Sequence, residues 1–463
     1  MLRATSSGAA LGIRPTARSL ALVAALVFSA NGLAQDAAPT PRPTSLLPTI
    51  QKIAGSVSED RLEATLRKLE SFQTRNTFSD TASPTHGIGA ARQWIFDQFR
   101  GFSPRLQVSF DTYKIAEHGG RLVRDVELRN VVAVLPGTDP VGKNRRFIIS
   151  GHYDSTVCAT AQGRTSCVQG DNPAPGVNDD GSGTALVLEA ARILSQYEFS
   201  HTLVFVAFAG EEQGLVGSSL FAQKARREKW EIDAVLNNDI VGNSLGGNGL
   251  VDNHAVRVFS EEPNDSPSRQ VARYIKAIGE RYVPSMTVDM IFRYDRFGRG
   301  GDHSPLNQEG YPAVRVTVSE ENYSRQHTVD DTMEGVDVKY LARVARVNLA
   351  SLASLGLAPS APQVQDKQGR PMIGRGPSGY DAALRWQPGP GDVRGYAVLM
   401  RKTTSADWEK EIYVGKVTEY VLNDVSIDTV VFGVKALGPE GTESLTSAYI
   451  NPPRPRTEYK LVP

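Results

Sequence analysis

Cysteine, net charge and long apolar runs are all scarce in this sequence. Only two of the 463 residues are cysteine, which excludes a disulfide-dense scaffold. The 51 basic residues balance the 51 acidic ones, so charge gives no reason to expect nucleic acid or an anionic membrane surface as a partner. The longest apolar run, Leu20 to Ala30, is shorter than the roughly 18 residues that a membrane span requires. The composition is typical of a globular protein, and the length favours at least two domains.

The N-terminus has the pattern of a secretory signal peptide. Three arginines precede the apolar run, and small residues follow it up to Ala34. We predict a signal peptide over residues 1–34, cleaved after Ala34, and export to a periplasm or to the extracellular space. Residues 35–49 are rich in Ala, Pro and Thr, which predicts a disordered leader.

The two cysteines, Cys158 and Cys167, lie close together in CATAQGRTSC. In an oxidising compartment such a pair predicts one local disulfide that pins a loop. A pair of metal-binding thiolates is the alternative, but it would need further Cys or His nearby.

Apolar, β-rich runs alternate with helical patterns over most of the chain. Strand-like runs include LRNVVAVLPG, NRRFIISGHYDS and YPAVRVTVSEE, and helical spacing recurs in TALVLEAARILSQY and LARVARVNLASLASL. The alternation predicts an α/β fold over residues 50–357, a three-layer α/β/α sandwich with a mixed, mostly parallel sheet.

The pattern changes after Leu357, where a linker-like segment leads into short alternating runs separated by turn signals. These features predict a linker and a small all-β sandwich domain over residues 358–463. With Trp386, the stretch from Pro362 to Pro452 resembles a fibronectin type III module of seven strands.

Polar side chains cluster at or just beyond the ends of predicted strands and in the loops around them. They are His152 and Asp154 in GHYDS, Asp179 and Asp180 in NDDGSG, Glu211 and Glu212 in GEEQG, Asp239 in NND, and His327 in QHTVDD. Sites in α/β sheets lie beyond the carboxyl ends of the strands, so we expect these groups to meet. Buried carboxylates that meet need a positive partner, and mixed His and Asp/Glu ligation suits zinc.

The ordered set H-x-D, N-D-D-G-S-G, G-E-E-x-G-x-x-G-S, N-x-D and Q-H-T-x-D resembles the co-catalytic di-zinc aminopeptidases of the MH clan of metallopeptidases. The resemblance implies two Zn²⁺ ions per chain. It implies that His152 and Asp239 bind one ion, that Glu212 and His327 bind the other, and that Asp179 bridges both.

The same resemblance implies roles for the neighbouring residues. Glu211 is the general base that takes a proton from the attacking water. A cis peptide joins Asp179 to Asp180, and Asp180 helps to hold the backbone there. Asp154 is expected to orient the imidazole of His152.

Two features depart from the family pattern. Some members place a Tyr directly before the late His to stabilise the oxyanion, whereas here that position is Gln326, so Tyr323 is the candidate for the role. The segment between His152 and Asp179 is also longer than usual, and we expect it to form a loop near the mouth of the cleft.

We therefore predict an exported zinc aminopeptidase that acts on peptides or proteins with a free N-terminus. A carboxypeptidase or dipeptidase is an alternative, because metal ligands do not fix which terminus is bound. A glutaminyl cyclase is disfavoured by the second Asp of NDDGSG, and a non-catalytic binding module by the complete ligand set. H-E-x-x-H is absent, and we expect no serine-hydrolase nucleophile elbow.

Overall fold

A computed structural model describes residues 46–161, 164–167 and 170–451. The predicted signal peptide and residues 35–45 of the predicted leader lie outside the described residues. The last two residues of that leader, Pro48 and Thr49, are helical instead of disordered. Proline fits the first turn of a helix, and Ile50 and Ile53 bury the helix against the core.

Within the described residues, the large domain contains eight α-helices and ten strands. The helices are α1 (Pro48–Gly55), α2 (Glu59–Glu70), α3 (Gly87–Phe102), α4 (Gly181–Leu194), α5 (Val216–Arg227), α6 (Pro267–Tyr282), α7 (His303–Gln308) and α8 (Val338–Leu357). The strands are β1 (Gln107–Ile115), β2 (Val126–Leu135), β3 (Arg145–His152), β4 (Cys158–Ala161), β5 (Arg164–Cys167), β6 (Thr202–Phe208), β7 (Glu231–Asn238), β8 (Ala255–Ser260), β9 (Thr287–Ile291) and β10 (Ala313–Val318). None of the described helices is long and apolar enough to cross a membrane.

Eight of these strands form one mixed sheet in the order β1-β2-β6-β3-β7-β10-β8-β9. The four central strands, β6, β3, β7 and β10, run parallel, whereas β2 and β8 flank them in the opposite direction. The carboxyl ends of the four parallel strands therefore share one edge of the sheet.

Both faces of the sheet are covered by helices, which confirms the three-layer sandwich. Alternation along β6 directs Leu203 and Phe205 into the core with α4 and α8, and Val204 and Val206 into the core with α5 and α7. Because both faces are buried, these strands are continuous apolar runs.

The chain after α8 forms a small all-β domain, as predicted. Its strands are β11 (Ile373–Arg375), β12 (Ala382–Arg385), β13 (Gly395–Lys402), β14 (Lys410–Gly415), β15 (Glu419–Leu422), β16 (Val430–Leu437) and β17 (Ser447–Ala448). They make a three-stranded sheet, β11-β12-β15, and a four-stranded sheet, β14-β13-β16-β17. Trp386 is buried in their shared core and contacts Tyr396 edge to face, with the ring centroids 5.5 Å apart. The fibronectin type III assignment stays a prediction.

The β-domain packs on α6 through hydrogen bonds and ion pairs. The hydroxyl of Tyr274 donates to the carbonyl of Glu443 at 2.9 Å, and Nε of Arg273 donates to the carbonyl of Ala406 at 2.6 Å. Arg281 pairs with the carboxylate of Glu443 in the same contact.

Candidate metal centre

The carboxyl edge of the parallel strands gathers the residues predicted to form the site. His152 is the last residue of β3, Asp239 directly follows β7, and Glu212 lies just beyond the end of β6. Asp179 lies in the loop before α4, and His327 lies in the loop after β10.

Asp179 lies between two groups of side chains. Its Oδ1 is 3.2 Å from Nε2 of His152, and its Oδ2 is 3.0 Å from Nε2 of His327. Asp239 Oδ1 is 3.9 Å from His152 Nε2, and Glu212 Oε1 is 3.2 Å from His327 Nε2. In the trio of His152, Asp179 and Asp239, one potential ligand atom from each residue lies within 4.8 Å of the other two. The same is true of the trio of Asp179, Glu212 and His327. Asp179 belongs to both trios.

The two trios fit zinc. Zn–ligand distances of about 2.0–2.1 Å place the ligand atoms of a tetrahedral site about 3.3 Å apart, and the separations here are 3.0–3.9 Å. In the described part of the chain, His152 Nε2 and Glu212 Oε1 are buried without a well-aligned hydrogen-bond partner. Buried polar atoms of this kind are costly unless something binds them, and a cation held by the two trios would do so.

Asp154 holds the turn that contains Glu211 and Glu212 in place. Its carboxylate accepts hydrogen bonds from the backbone N–H groups of Glu211 at 3.2 Å and of Glu212 at 3.1 Å. Its carbonyl oxygen is 3.0 Å from Nδ1 of His152, whereas its carboxylate is 3.6 Å away. The predicted contact to His152 is therefore made through the Asp154 backbone, and the carboxylate acts on the other ligand segment.

The carboxylate of Asp180 accepts hydrogen bonds from three segments of the chain. Its Oδ1 accepts from the N–H of Gly183 at 2.8 Å, which caps α4, and from the N–H of Ile240 at 3.2 Å. Its Oδ2 accepts from the N–H of His152 at 3.1 Å. The peptide bond between Asp179 and Asp180 is cis, as the family resemblance implied.

Two further buried residues hold the loop of Asp179, and the sequence prediction assigned neither of them. Asp331 accepts from the backbone N–H groups of Asn178 at 3.0 Å and Asp179 at 2.9 Å. Its place in QHTVDD, four residues after His327, is the signal that pointed to it.

The second residue, Arg75, is fully buried and bonds backbone carbonyls. It donates to the carbonyls of Tyr153 at 2.7 Å, Pro175 at 2.6 Å and Gly176 at 2.6 Å. Burial lowers the pKa of its guanidinium to about 10. No sequence pattern marks this arginine, because each of its partners except Leu69 is about 80 to 100 residues away along the chain.

Glu211 lines a cavity of about 230 Å³ together with Asp179, Asp239 and His327. Burial raises the pKa of the Glu211 carboxyl well above its ordinary range, and nearby Glu212 adds to the rise. The predicted general base therefore opens onto the same cavity as the predicted ligands Asp179, Asp239 and His327.

Sequence comparisons identify the family to which this site belongs. Residues 130–352 match the model of peptidase family M28. A probable zinc metalloprotease of Pyricularia oryzae is 38% identical over 434 residues, which cover 85% of this chain and 83% of that protein. The chain belongs to peptidase family M28. A probable zinc metalloprotease of Leptosphaeria maculans is 36% identical over 427 residues, covering 85% of this chain and 95% of that protein, so this M28 member is a zinc metalloprotease.

Solved structures share the M28 fold at low sequence identity. The LapA aminopeptidase of Legionella pneumophila superposes with a TM-score of 0.52 at 21% identity, covering 70% of this chain and 78% of that one. A glutaminyl cyclase of Macrostomum lignano superposes with a TM-score of 0.51 at 17% identity, covering 69% of this chain and 94% of that one. At these identities the likeness concerns the fold and not the reaction.

The M28 structure does not bring Tyr323 into the cavity. Its side chain is 62% exposed, and its ring centroid is 5.8 Å from the guanidinium of Arg299. Gln326 does line the cavity, and its Nε2 donates to Asp179 Oδ2 at 3.0 Å. The geometry gives no support to Tyr323 as the oxyanion stabiliser and instead identifies Gln326 as the neighbour of the shared carboxylate.

One string of the nucleophile-elbow type does occur, contrary to expectation, in G-N-S-L-G from Gly242 to Gly246. The Oγ of Ser244 donates to the carboxylate of Asp337 at 2.7 Å, and no helix follows the string directly. An elbow requires a strand–turn–helix context with the serine paired to a base. Serine-hydrolase chemistry is therefore excluded by geometry rather than by the absence of the motif.

The predicted disulfide is present in the M28 protein and lies beside a ligand segment. Cys158 and Cys167 join across the hairpin of β4 and β5. The backbone N–H of Cys158 donates to the carbonyl of His327 at 2.9 Å. His327 has φ 57°, in a region that costs a non-glycine residue about 1–3 kcal/mol, so its conformation depends on contacts of this kind.

We expect the double replacement of Cys158→Ser and Cys167→Ser to weaken zinc binding as well as to destabilise the hairpin. Loss of a cross-link of this length removes about 2–3 kcal/mol, mainly from the hairpin. Affinity for zinc at the His327 trio should fall about tenfold, as when an outer contact of a ligand is lost. Competition with a chromogenic chelator measures this fall, and reductant on the wild-type protein should reproduce it. Unchanged affinity in both would contradict the role of the hairpin.

Proposed function

We propose that this M28 protein is an exported aminopeptidase that uses two zinc ions. The observation that carries the proposal is that Asp179 is shared by two ligand trios, while Glu211 opens onto the cavity beside both. Two zinc ions, when bound there, supply Lewis acidity and make water acidic enough to react near neutral pH.

The side chains of the chain itself divide the remaining tasks. Glu211 accepts the proton of the attacking water and returns it to the leaving amine. Asp154 fixes the backbone of Glu211, and Asp180 and Asp331 fix the loop of Asp179, so that neither carboxylate has to reorganise during the reaction.

Removal of a terminal residue, rather than cleavage within a chain, is favoured by the small cavity. A space of about 230 Å³ accommodates a residue or two and is not a long groove. LapA of Legionella pneumophila, which shares the fold, is an aminopeptidase, and this agrees with action at the N-terminus. Export is supported by the N-terminal sequence pattern and by the disulfide, since disulfides persist in oxidising compartments.

The test uses purified protein and matched peptides with free or acetylated N-termini, with and without a chelator. We expect release of the first residue from the free peptide alone, lost on chelation and restored by zinc. Cleavage of both peptides would assign the activity to the other terminus or to the interior. Cyclisation of an N-terminal Gln without peptide hydrolysis would instead favour the cyclase reaction of the second structural neighbour.

A further inference from the structure

Four arginines line the cavity beside the two trios. They are Arg121, Arg296, Arg299 and Arg315. Cations neither attract an α-ammonium group nor suit an apolar side chain, so their presence calls for a different explanation.

Two of these arginines are matched by buried carboxylates of the protein. Nη1 of Arg315 is 2.9 Å from Asp239 Oδ2, and Nε of Arg296 is 3.0 Å from Asp295 Oδ1. Arg296 also binds Glu321 at 2.7 Å. These two guanidiniums are structural parts of the cavity wall.

The positive charge of Arg299 is less completely paired with carboxylates than the charges of Arg296 and Arg315 are. Within the described part of the chain its side-chain hydrogen bonds come from Nη1 alone, to Gln326 Oε1 at 3.3 Å and to Glu321 Oε2 at 3.5 Å. Glu321 is already bound by Arg296 and by Arg257, the latter at 3.0 Å. Three guanidiniums thus share one carboxylate. Burial alone would raise the pKa of Glu321, yet the surrounding arginines hold it below its ordinary range.

Arg121 approaches the cavity from the loop between β1 and β2. Its hydrogen bond within the described residues is to a neutral acceptor, the carbonyl of Glu212, at 2.9 Å. Its side chain is otherwise exposed, so its charge is available at the mouth of the cavity.

Arg299 is also connected to the reacting centre. Gln326 accepts from Arg299 and donates to Asp179 Oδ2 at 3.0 Å, so one amide group separates Arg299 from the shared carboxylate. A group bound by Arg299 would therefore belong to a substrate residue at or next to the bond that is cleaved.

We propose that Arg121 and Arg299 bind a carboxylate of the substrate. This inference rests on the exopeptidase function proposed above and names its substrate class: short peptides through their α-carboxylate, or peptides with an acidic side chain near the N-terminus. Guanidinium forks match carboxylates in geometry and charge, and such hydrogen bonds contribute more than neutral ones.

The test compares three pairs of peptides that differ in one carboxylate: Leu-Ala against Leu-Ala-amide, Leu-Glu-amide against Leu-Gln-amide, and Glu-Ala-amide against Gln-Ala-amide. Each pair is assayed for kcat/KM with the zinc-loaded wild-type protein and with Arg299→Gln, Arg121→Gln and Arg299→Lys. Arg293→Gln is the matched control, since Arg293 is exposed in the same loop, stacks on Phe297 and does not line the cavity.

In at least one pair we expect the carboxylate-bearing peptide to be preferred by about tenfold or more, as for a charge-assisted hydrogen bond. The preference should disappear in Arg299→Gln, fall in Arg121→Gln, survive in part in Arg299→Lys, and be unchanged in Arg293→Gln. The ratio within a pair cancels any general loss of activity, and zinc content is measured for every variant.

Hydrolysis of the peptides without a preference in any pair would overturn the carboxylate site and leave the proposed function standing. A preference that persists in both Arg299→Gln and Arg121→Gln would overturn the assignment to these arginines. If the zinc-loaded protein hydrolysed none of the six peptides, the aminopeptidase proposal would be overturned, and the carboxylate site with it.

Discussion

Replacement of Glu211→Gln is expected to lower kcat by about 10³-fold while zinc content stays unchanged. Gln cannot accept the proton of the attacking water, and a positioned acid–base group contributes about 10²–10⁴-fold. The substitution preserves shape and leaves the backbone N–H bond to Asp154 intact, so the neighbouring ligand Glu212 should stay in place. Steady-state kinetics and metal analysis on the same preparation measure both quantities.

Glu198→Gln is the matched control, because Glu198 is exposed in the loop between α4 and β6, before the amino end of β6 and away from the site. It should retain wild-type kcat. If Glu211→Gln lost zinc as well as turnover, Glu211 would be a ligand, and the roles of the two glutamates would have to be exchanged.

Replacement of Asp179→Asn is expected to remove both zinc ions, whereas replacement at a residue of one trio should remove one. Asp179 is common to both trios, so each ion would lose a charged ligand and bind at least about 100-fold more weakly. Asp239→Asn and Glu212→Gln each alter a single trio. Metal content after dialysis against a fixed level of free zinc should fall from two ions per chain to one in either of these variants, and below one in Asp179→Asn.

The same measurements also determine how many zinc ions the protein binds, because zinc is counted in the wild type and in three variants that each lack one carboxylate. Retention of one full ion in Asp179→Asn would show that this residue serves only one metal. A wild-type content of one would overturn the proposed two-zinc site.

Local sequence patterns predicted much of the fold and most residues of the two candidate metal trios. The candidate ligands His152, Asp239 and Glu212 lie at or just past the ends of apolar runs, and the parallel direction of β3, β6 and β7 brings those ends to one edge. The sequence patterns did not predict the peripheral strands β1, β8 and β9. In β1 the strand is half exposed along its whole length, so its residues carry no strong apolar signal.

Those local patterns could not predict contacts between distant parts of the chain. Arg75 reaches Gly176 across 101 residues, Asp331 reaches Asp179 across 152, and Arg299 meets Gln326 across 27. Tyr323 matched the expected chemistry by residue type, yet the loop after β10 leaves it exposed. The sequence by itself therefore determined which chemical groups reach the sheet edge, because strand periodicity and strand ends are local properties. Only the tertiary structure decided which arginines line the cavity and which buried groups hold the Asp179 loop, because those contacts depend on how separate loops pack together.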